Sequence, residues 1–113
     1  MQTEQPGFIA EETLFWAQPD GSDKRIVARI GTPYTDDGEV WRCAVELDGG
    51  IGRLSDQAGD SSMQALTLAT RLVATLLLDM LERGEQLFHA DGDRGQPWTP
   101  EGLPIVFGRG LED

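Results

Sequence analysis

The sequence predicts an α+β fold in which an antiparallel meander of three or more strands packs against one long helix in the second half of the chain. Residues 24–31 and 40–47 alternate apolar and polar side chains, with the period of two that is typical of half-buried strands. Residues 60–84 carry apolar side chains at helical spacing between a start signal and a stop signal. Strands followed by one helix, without strand–helix alternation, favour this fold class.

Three strands are predicted before the helix. Residues 8–18 are rich in apolar and aromatic side chains, with Leu14 and Trp16 inward and Phe15 outward, and the turn sequence Pro19-Asp20-Gly21-Ser22 follows them. In residues 24–31, one face carries Ile26, Ala28 and Ile30, and the other carries Arg25, Val27 and Arg29. In residues 40–47, the inward face carries Trp41, Cys43, Val45 and Leu47, and the outward face carries Val40, Arg42, Ala44 and Glu46. Short connections between consecutive strands favour antiparallel pairing.

The helix is the most sharply specified element. Ser61-Ser62-Met63-Gln64 has the S-x-x-Q form of a capping box, and Gly84 suits a left-handed helix stop, so a helix is expected over about residues 62–83. The glycine-rich residues 48–59 before it are predicted to form a loop. At 100° per residue, nine apolar side chains share an arc that would cover the sheet: Ala65, Leu66, Ala69, Leu72, Val73, Leu76, Leu77, Met80 and Leu81. Val73, Leu76 and Leu77 are expected to be nearly fully buried.

The last third of the chain has weaker patterns. Residues 86–89 are predicted to form a short extension or strand, residues 91–100 a turn-rich loop, and residues 103–107 a short edge strand. No repeat or composition shift divides the chain. We therefore expect one domain over residues 8–107, between flexible tails at residues 1–7 and 108–113.

Charge narrows the classes of partner. The chain has 113 residues, with 20 acidic and 9 basic side chains and a formal net charge of −11. Such a charge repels nucleic acid and anionic membranes. Solubility is the favoured interpretation of the acidity, and a basic protein partner is the alternative. Polar Gln64, Arg71 and Asp79 argue against membrane insertion of the apolar residues 63–81. The beginning of the sequence lacks the pattern of a signal peptide, and Cys43 is a single cysteine, so a cytoplasmic location is expected.

Apolar and arginine side chains outside the predicted core form a candidate interaction surface: Phe15, Val27, Arg25, Arg29, Arg42, Leu68 and Leu78. The C-terminal segment can cover one apolar set, and a partner or a second copy in a weak homodimer can cover the other. The three arginines are expected on one outer face. Cross-strand ion pairing with Glu11 and Glu46 is the favoured interpretation, and an arginine-lined surface for an acidic partner is the alternative.

No catalytic, cofactor or metal motif stands out. His89 with Asp91 and Asp93 is the one metal-like spacing, but Asp-Gly-Asp-Arg-Gly is also an ordinary turn composition, and no metal ligand, cofactor or catalytic residue is predicted. The neighbouring carboxylates Glu11-Glu12 lie on opposite strand faces, and those at residues 36–39 lie in a loop. Cys43 is predicted to be an inert core thiol.

Three motifs begin at Ile30, Trp41 and Asp60, and a fourth is Gly102-Leu103-Pro104 near the end of the chain. They are similar to the I-G-x-P strand end, the W-x-C strand, the D-S-x-Q-A-L-x-L-A helix opening and the late G-x-P of a family of small, uncharacterised bacterial proteins, which this chain therefore resembles. The resemblance covers roughly residues 8–107. It implies the same order of strands and helix, and it implies no activity.

The expected function is that of a small acidic binding or interaction protein without enzymatic activity, for which a toxin-neutralising immunity protein is one concrete form. One alternative is an acidic mimic of nucleic acid that inhibits a DNA-binding protein. The other is a small enzyme or metal-binding protein that uses the region around His89.

Overall fold

The computed structural model describes residues 7–108 and contains nine strands and two helices in that range. In chain order these are β1 (Phe8–Ala17), β2 (Asp23–Gly31), β3 (Tyr34–Thr35), β4 (Trp41–Cys43), β5 (Val45–Asp48), β6 (Gly52–Arg53), β7 (Gln57–Gly59), α1 (Ser62–Glu82), β8 (Leu87–Ala90), β9 (Asp93–Pro97) and α2 (Leu103–Phe107). Apart from Gly7 and Gly108, the predicted tails lie outside the described residues.

Two antiparallel sheets and α1 form the body of the protein, which confirms the predicted α+β class. The larger sheet has the strand order β6-β5-β2-β1-β8-β9, and the smaller has the order β3-β4-β7. Residues that face each other across β1 and β2, such as Leu14 and Ile26, point to the inner face of the larger sheet and are fully buried. The inner face therefore holds the core, and the outer face carries Phe15 and Val27 as predicted.

The helix begins and ends where its capping signals place it. Ser61 Oγ accepts a hydrogen bond from the Gln64 amide at 3.0 Å, while the Gln64 side chain accepts one from the Asp60 amide. At the other end, Gly84 has a φ of +95°, and the Glu85 amide donates to the Met80 carbonyl at 3.0 Å. These bonds satisfy backbone groups that a helix leaves unpaired at its ends.

The buried face of α1 is a stripe at four-residue spacing: Ala65, Ala69, Val73 and Leu77. Val73 and Leu77 are fully buried as predicted, but Leu76 is only partly buried, because it lines an open cleft beside β5. Ala74 is buried although it lies outside the predicted arc, and α2 also packs against α1.

By length and composition alone α1 is long and apolar enough to cross a membrane, as the core helix of a soluble protein also can be.

The predicted third strand is wrong in one respect, because residues 41–48 are divided between the two sheets. β4 pairs with β3 and β7, whereas β5 pairs with β2 and β6, and Ala44 lies between them. Ala44 was expected to point outward, yet it is 6% exposed and would lie within 3.0 Å of a Cβ added to Gly31. Ala44 is therefore covered by Gly31 of β2, while Cys43, Val45 and Leu47 are fully buried in the core as the alternation predicts.

Sequence patterns also missed short elements elsewhere. The predicted loop at residues 48–59 contains β6 and β7, and the predicted loop at residues 91–100 contains β9, which pairs with β8. The strand predicted at residues 86–89 is β8. The predicted edge strand at residues 103–107 is the helix α2. Pro104 cannot donate to a strand ladder but suits a first helical turn, and the four-residue spacing of Leu103 and Phe107 buries both.

The tip of the β8–β9 hairpin is tied to the start of β2. The Asp23 carboxylate, with a side chain only 1% exposed, accepts hydrogen bonds from the Gly92 amide at 2.8 Å and from Arg94 Nη2 at 2.6 Å. Arg94 also lies 5.0 Å above the Phe88 ring. This clamp holds β8 against β1, although the two strands pair only at Phe15–Phe88 and Trp16–Leu87.

Candidate binding cleft

A cleft of about 290 Å³ opens between the C-terminal half of α1 and the turn that joins β5 to β6. Trp16 reaches it because alternation along β1 points this ring to the inner face, beside the last turns of the helix. The turn approaches β2 closely, because Gly49 has a φ of +89° and a Cβ there would lie 2.1 Å from the Arg25 carbonyl oxygen. Glycine at this position therefore sets one wall of the cleft.

The floor of the cleft is apolar and one edge of it faces water. Leu47 is fully buried, whereas Trp16, Leu76 and Met80 are partly buried and pack against the core. Ile51, at the tip of the β5–β6 turn, is 61% exposed. The cleft thus combines a buried aliphatic floor with an exposed apolar side chain at its edge.

Charged side chains surround the mouth. Trp16 Nε1 donates a hydrogen bond to Glu85 Oε1 at 2.8 Å, and Arg83 Nη2 lies 2.8 Å from Asp79 Oδ2. Lys24 Nζ lies 5.7 Å from the centroid of the Trp16 ring. This arrangement can hold a molecule that has an apolar body and a polar or charged end, although its volume is at the lower limit for sites that enclose a small ligand.

None of the cleft residues was predicted to form a site. Trp16, Leu47, Leu76 and Met80 were predicted to face the core; Leu47 is fully buried there and the other three are partly buried against it. Nothing in the pattern showed that a gap separates the helix from the sheet edge at these residues. The one available indication was Ile51, an apolar side chain within a glycine-rich segment.

Arg29, one of the predicted surface residues, is the centre of a cross-strand ion cluster. Its guanidinium contacts Glu11 at 3.2 Å, Glu46 at 3.1 Å and Asp48 at 3.1 Å. The hydrogen bond to Asp48 contributes most to a raised pKa of Arg29. The favoured interpretation, pairing with Glu11 and Glu46, is therefore correct for this arginine.

Arg25 and Arg42 are placed differently. Arg25 is exposed opposite Phe15 on the outer face, and within residues 7–108 it has no ion pair. Arg42 was expected on the same face, which is wrong: it lies on β4 in the smaller sheet, opposite Tyr34 and Ala58. The division of the predicted third strand separates Arg42 from the other two arginines.

The predicted apolar sets have little free surface. Val27 is 4% exposed, and Phe15 beside it is partly buried, opposite Phe88. Leu78 packs against the core, and Leu68 is partly buried. The structure does not bring the Phe15 and Leu68 regions together, because one lies on the outer face of the sheet and the other on the helix that covers the inner face.

His89, Asp91 and Asp93 make separate contacts. The His89 ring stacks on Trp98 with centroids 4.0 Å apart, and Asp93 Oδ1 accepts a hydrogen bond from the Gly95 amide at 2.8 Å. Within residues 7–108 no cluster of three or more His, Cys, Asp or Glu side chains is arranged to hold a metal ion. Cys43 is fully buried, and burial raises the pKa of its thiol.

A second polar group lies beside Gly31. The Tyr34 hydroxyl donates to Asp56 Oδ2 at 2.5 Å, and Arg53 Nη2 lies 3.1 Å from Asp56 Oδ1. The hydrogen bond from Tyr34 lowers the pKa of Asp56, and the same bond raises the pKa of Tyr34. Because Asp56 is already bonded to two donors, this group is better suited to holding the second sheet than to binding a ligand.

Comparison with known proteins identifies a family and no function. The family model described as "Domain of unknown function (DUF6968)" matches residues 10–98, which include every residue that lines the cleft. No curated protein and no solved structure gives a significant match to the chain. The model covers most of the 113 residues, so the chain belongs to the DUF6968 family.

Proposed function

We propose that this protein is a small acidic binding protein, without catalytic activity, that recognises a protein partner through the cleft between α1 and the β5–β6 turn. The observation that carries the proposal is the combination of an apolar floor with the exposed Ile51 at its edge. An apolar side chain from a partner would remove this surface from water, which favours association by about 25 cal/mol for each Å² of apolar area.

Charge supports a basic partner. The formal net charge of −11 attracts basic proteins over distances of about 8–10 Å at ordinary salt concentrations and speeds their encounter. A toxin-neutralising immunity protein remains one concrete form of this proposal.

The two alternative functions have less support. Mimicry of nucleic acid needs a row of unpaired charges, whereas Glu11, Glu46 and Asp48 are all paired with Arg29. An enzyme that uses His89 also has less support, because this ring is stacked on Trp98.

A neutral probe with an apolar body, n-hexanol, tests whether the cleft binds an apolar group. The chain contains three tryptophans, which can be labelled with fluorotryptophan and followed separately by fluorine NMR, with Trp16→Phe identifying the Trp16 resonance. Titration with n-hexanol should move the Trp16 resonance in a saturable manner and leave Trp41 and Trp98 unchanged, because these two rings lie outside the cleft.

A matched pair of variants on α1 provides the control. Leu76→Arg places a long charged side chain on the cleft floor and should abolish the hexanol-dependent shift of Trp16. Leu68→Arg makes the same change on the same helix outside the cleft, and should preserve that shift. Equal responses from all three tryptophans, or no saturable response from Trp16, would contradict the proposed site.

A further inference from the structure

We infer that the cleft accepts a lysine or arginine side chain of the partner, with the aliphatic stem on the apolar floor and the cationic head between Glu85 and the Trp16 ring. This inference rests on the proposed function and specifies the chemistry of the group that binds. It assigns a recognition role to Glu85 and Trp16.

The stem of such a side chain matches the floor. Lysine and arginine carry three or four methylene groups, which bury favourably against apolar surface while the charged head stays near water. Leu47, Leu76 and Met80 supply that surface inside a cleft that remains open on one side. A purely apolar side chain would also fit the floor but would leave the Glu85 carboxylate without a cation.

Glu85 supplies a carboxylate at the mouth. Its Oε1 accepts the Trp16 Nε1–H bond at 2.8 Å, which fixes the carboxylate beside the indole ring. No cation pairs with Glu85 within residues 7–108, so its negative charge is available to an incoming ammonium or guanidinium group. A charge-assisted hydrogen bond of this kind is roughly twice as strong as a neutral one.

The Trp16 ring supplies the second attraction. Indole is the aromatic group that binds cations best. The exposed Lys24 already places its Nζ 5.7 Å from the ring centroid, so an incoming cation competes with this side chain for the ring. The hydrogen bond from the indole N–H to a carboxylate also strengthens the negative potential of the ring face. The carboxylate of Glu85 and the ring of Trp16 therefore both attract a cation to the same place.

Asp79 is a second carboxylate on the rim and pairs with Arg83 one turn further along α1. Both side chains are more than half exposed, at 54% and 69%, and an exposed pair of this kind contributes little stability. A second basic group of the partner can therefore replace Arg83 at Asp79 at small cost, beside the cation held by Glu85 and Trp16.

Three probes with the same hexyl body and different heads test the inference: n-hexylammonium, n-hexanol and heptanoate. Followed by the fluorine resonance of Trp16, n-hexylammonium should bind about two- to fivefold more tightly than n-hexanol, as expected for a cation beside an indole ring. Heptanoate should bind more weakly than both. The preference for n-hexylammonium should shrink as salt concentration rises.

Two variants with the same charge change identify the recognition residue. Glu85→Gln should reduce the preference for n-hexylammonium over n-hexanol, whereas Glu82→Gln, on the exposed last turn of α1 and outside the cleft, should keep the full preference. Equal binding of the cationic and neutral probes, or equal effects of the two variants, would overturn this inference and leave the apolar cleft intact. Failure of both probes to bind would overturn the proposed function as well.

Discussion

At the scale of single residues, one hydrogen bond couples the ionisation of Tyr34 and Asp56. It raises the pKa of Tyr34 above the ordinary value of 10.0 and lowers the pKa of Asp56 below 3.8. The contribution of Tyr34 to stability is therefore complete below about pH 10 and is lost as the pH rises through its folded-state pKa. The contribution of Asp56 is present above about pH 4 and is lost as the pH falls through its folded-state pKa.

Tyr34 is the one tyrosine in the chain, so tyrosinate absorbance reports its ionisation directly. We expect a midpoint above that of free tyrosine in the native protein. Asp56→Asn should lower this midpoint, because it removes the charged acceptor. Asp36→Asn removes a nearby charge but no hydrogen bond and should have a smaller effect. The coupling is refuted if the Asp56→Asn variant titrates like the unmodified protein.

Gly49 and Gly21 distinguish two reasons why a position requires glycine, namely a left-handed φ and a lack of space for a side chain. Both have positive φ, at +89° and +93°, but a Cβ at Gly49 would lie 2.1 Å from the Arg25 carbonyl oxygen, whereas a Cβ at Gly21 meets nothing within 4 Å. Gly21→Ala should cost roughly 1–2 kcal/mol from conformation alone. Gly49→Ala should cost about 1–3 kcal/mol more, because β2 and the β5–β6 turn must move apart.

Urea denaturation of the two variants measures this difference. If Gly49→Ala and Gly21→Ala lower the free energy of unfolding equally, the close approach of Gly49 to Arg25 adds nothing to the cost of a side chain at this position.

At the scale of elements, α1 shows how strongly local signals can specify structure. The capping box, the apolar arc and Gly84 all lie within one continuous segment, and the predicted helix agrees with the observed one at both ends. Val73 lies at the centre of the buried stripe. Its replacement by alanine should lower the free energy of unfolding by about 2 kcal/mol or more, because a cavity forms where packing is complete.

Val40 provides the matched comparison, since it is 39% exposed. Val40→Ala should change the free energy of unfolding by no more than about 0.5 kcal/mol. Similar losses in both variants, measured by thermal or urea unfolding, would show that α1 does not depend on the packing of Val73.

Local sequence patterns did not predict the elements whose formation depends on contacts with distant parts of the chain. Alternation in residues 40–47 predicted one strand, but the chain is divided at Ala44, which lies against Gly31 of β2, and no pattern within residues 40–47 indicates that contact. The polar residues of β9 show no strand pattern, and their pairing depends on Asp23, about 70 positions away. The binding cleft was missed for the same reason, because it is a gap between elements and no local pattern describes a gap.

At the scale of the whole molecule, the two predicted apolar sets offer little surface for self-association. Val27 and Leu78 are largely covered, so Phe15 and Leu68 contribute less than the 1.5–3 kcal/mol that full burial of each would give. A millimolar dissociation constant already corresponds to about 4 kcal/mol. We therefore expect a homodimer formed through these residues to be no tighter than about millimolar.

Sedimentation equilibrium should accordingly find a monomer at micromolar concentrations and the onset of dimer near millimolar ones. A dimer with a micromolar dissociation constant would show that another surface mediates association. The exposed side chains of α2, Ile105 at 85% and Val106 at 49%, are the first alternative to examine by substitution with serine.

The position of β1 in the larger sheet has a consequence for synthesis on the ribosome. One neighbour of β1 is β2, which follows it directly, but the other is β8, which emerges only after α1 is complete. The end of β1 at Ala17 and the start of β8 at Leu87 are about 70 residues apart. At roughly 5–20 residues per second, β8 therefore emerges several seconds or more after β1. During that interval the nascent chain exposes the unpaired edge of a ten-residue strand. A chain that ends before Leu87 should therefore aggregate through β1, and size-exclusion chromatography of such a fragment would reveal it.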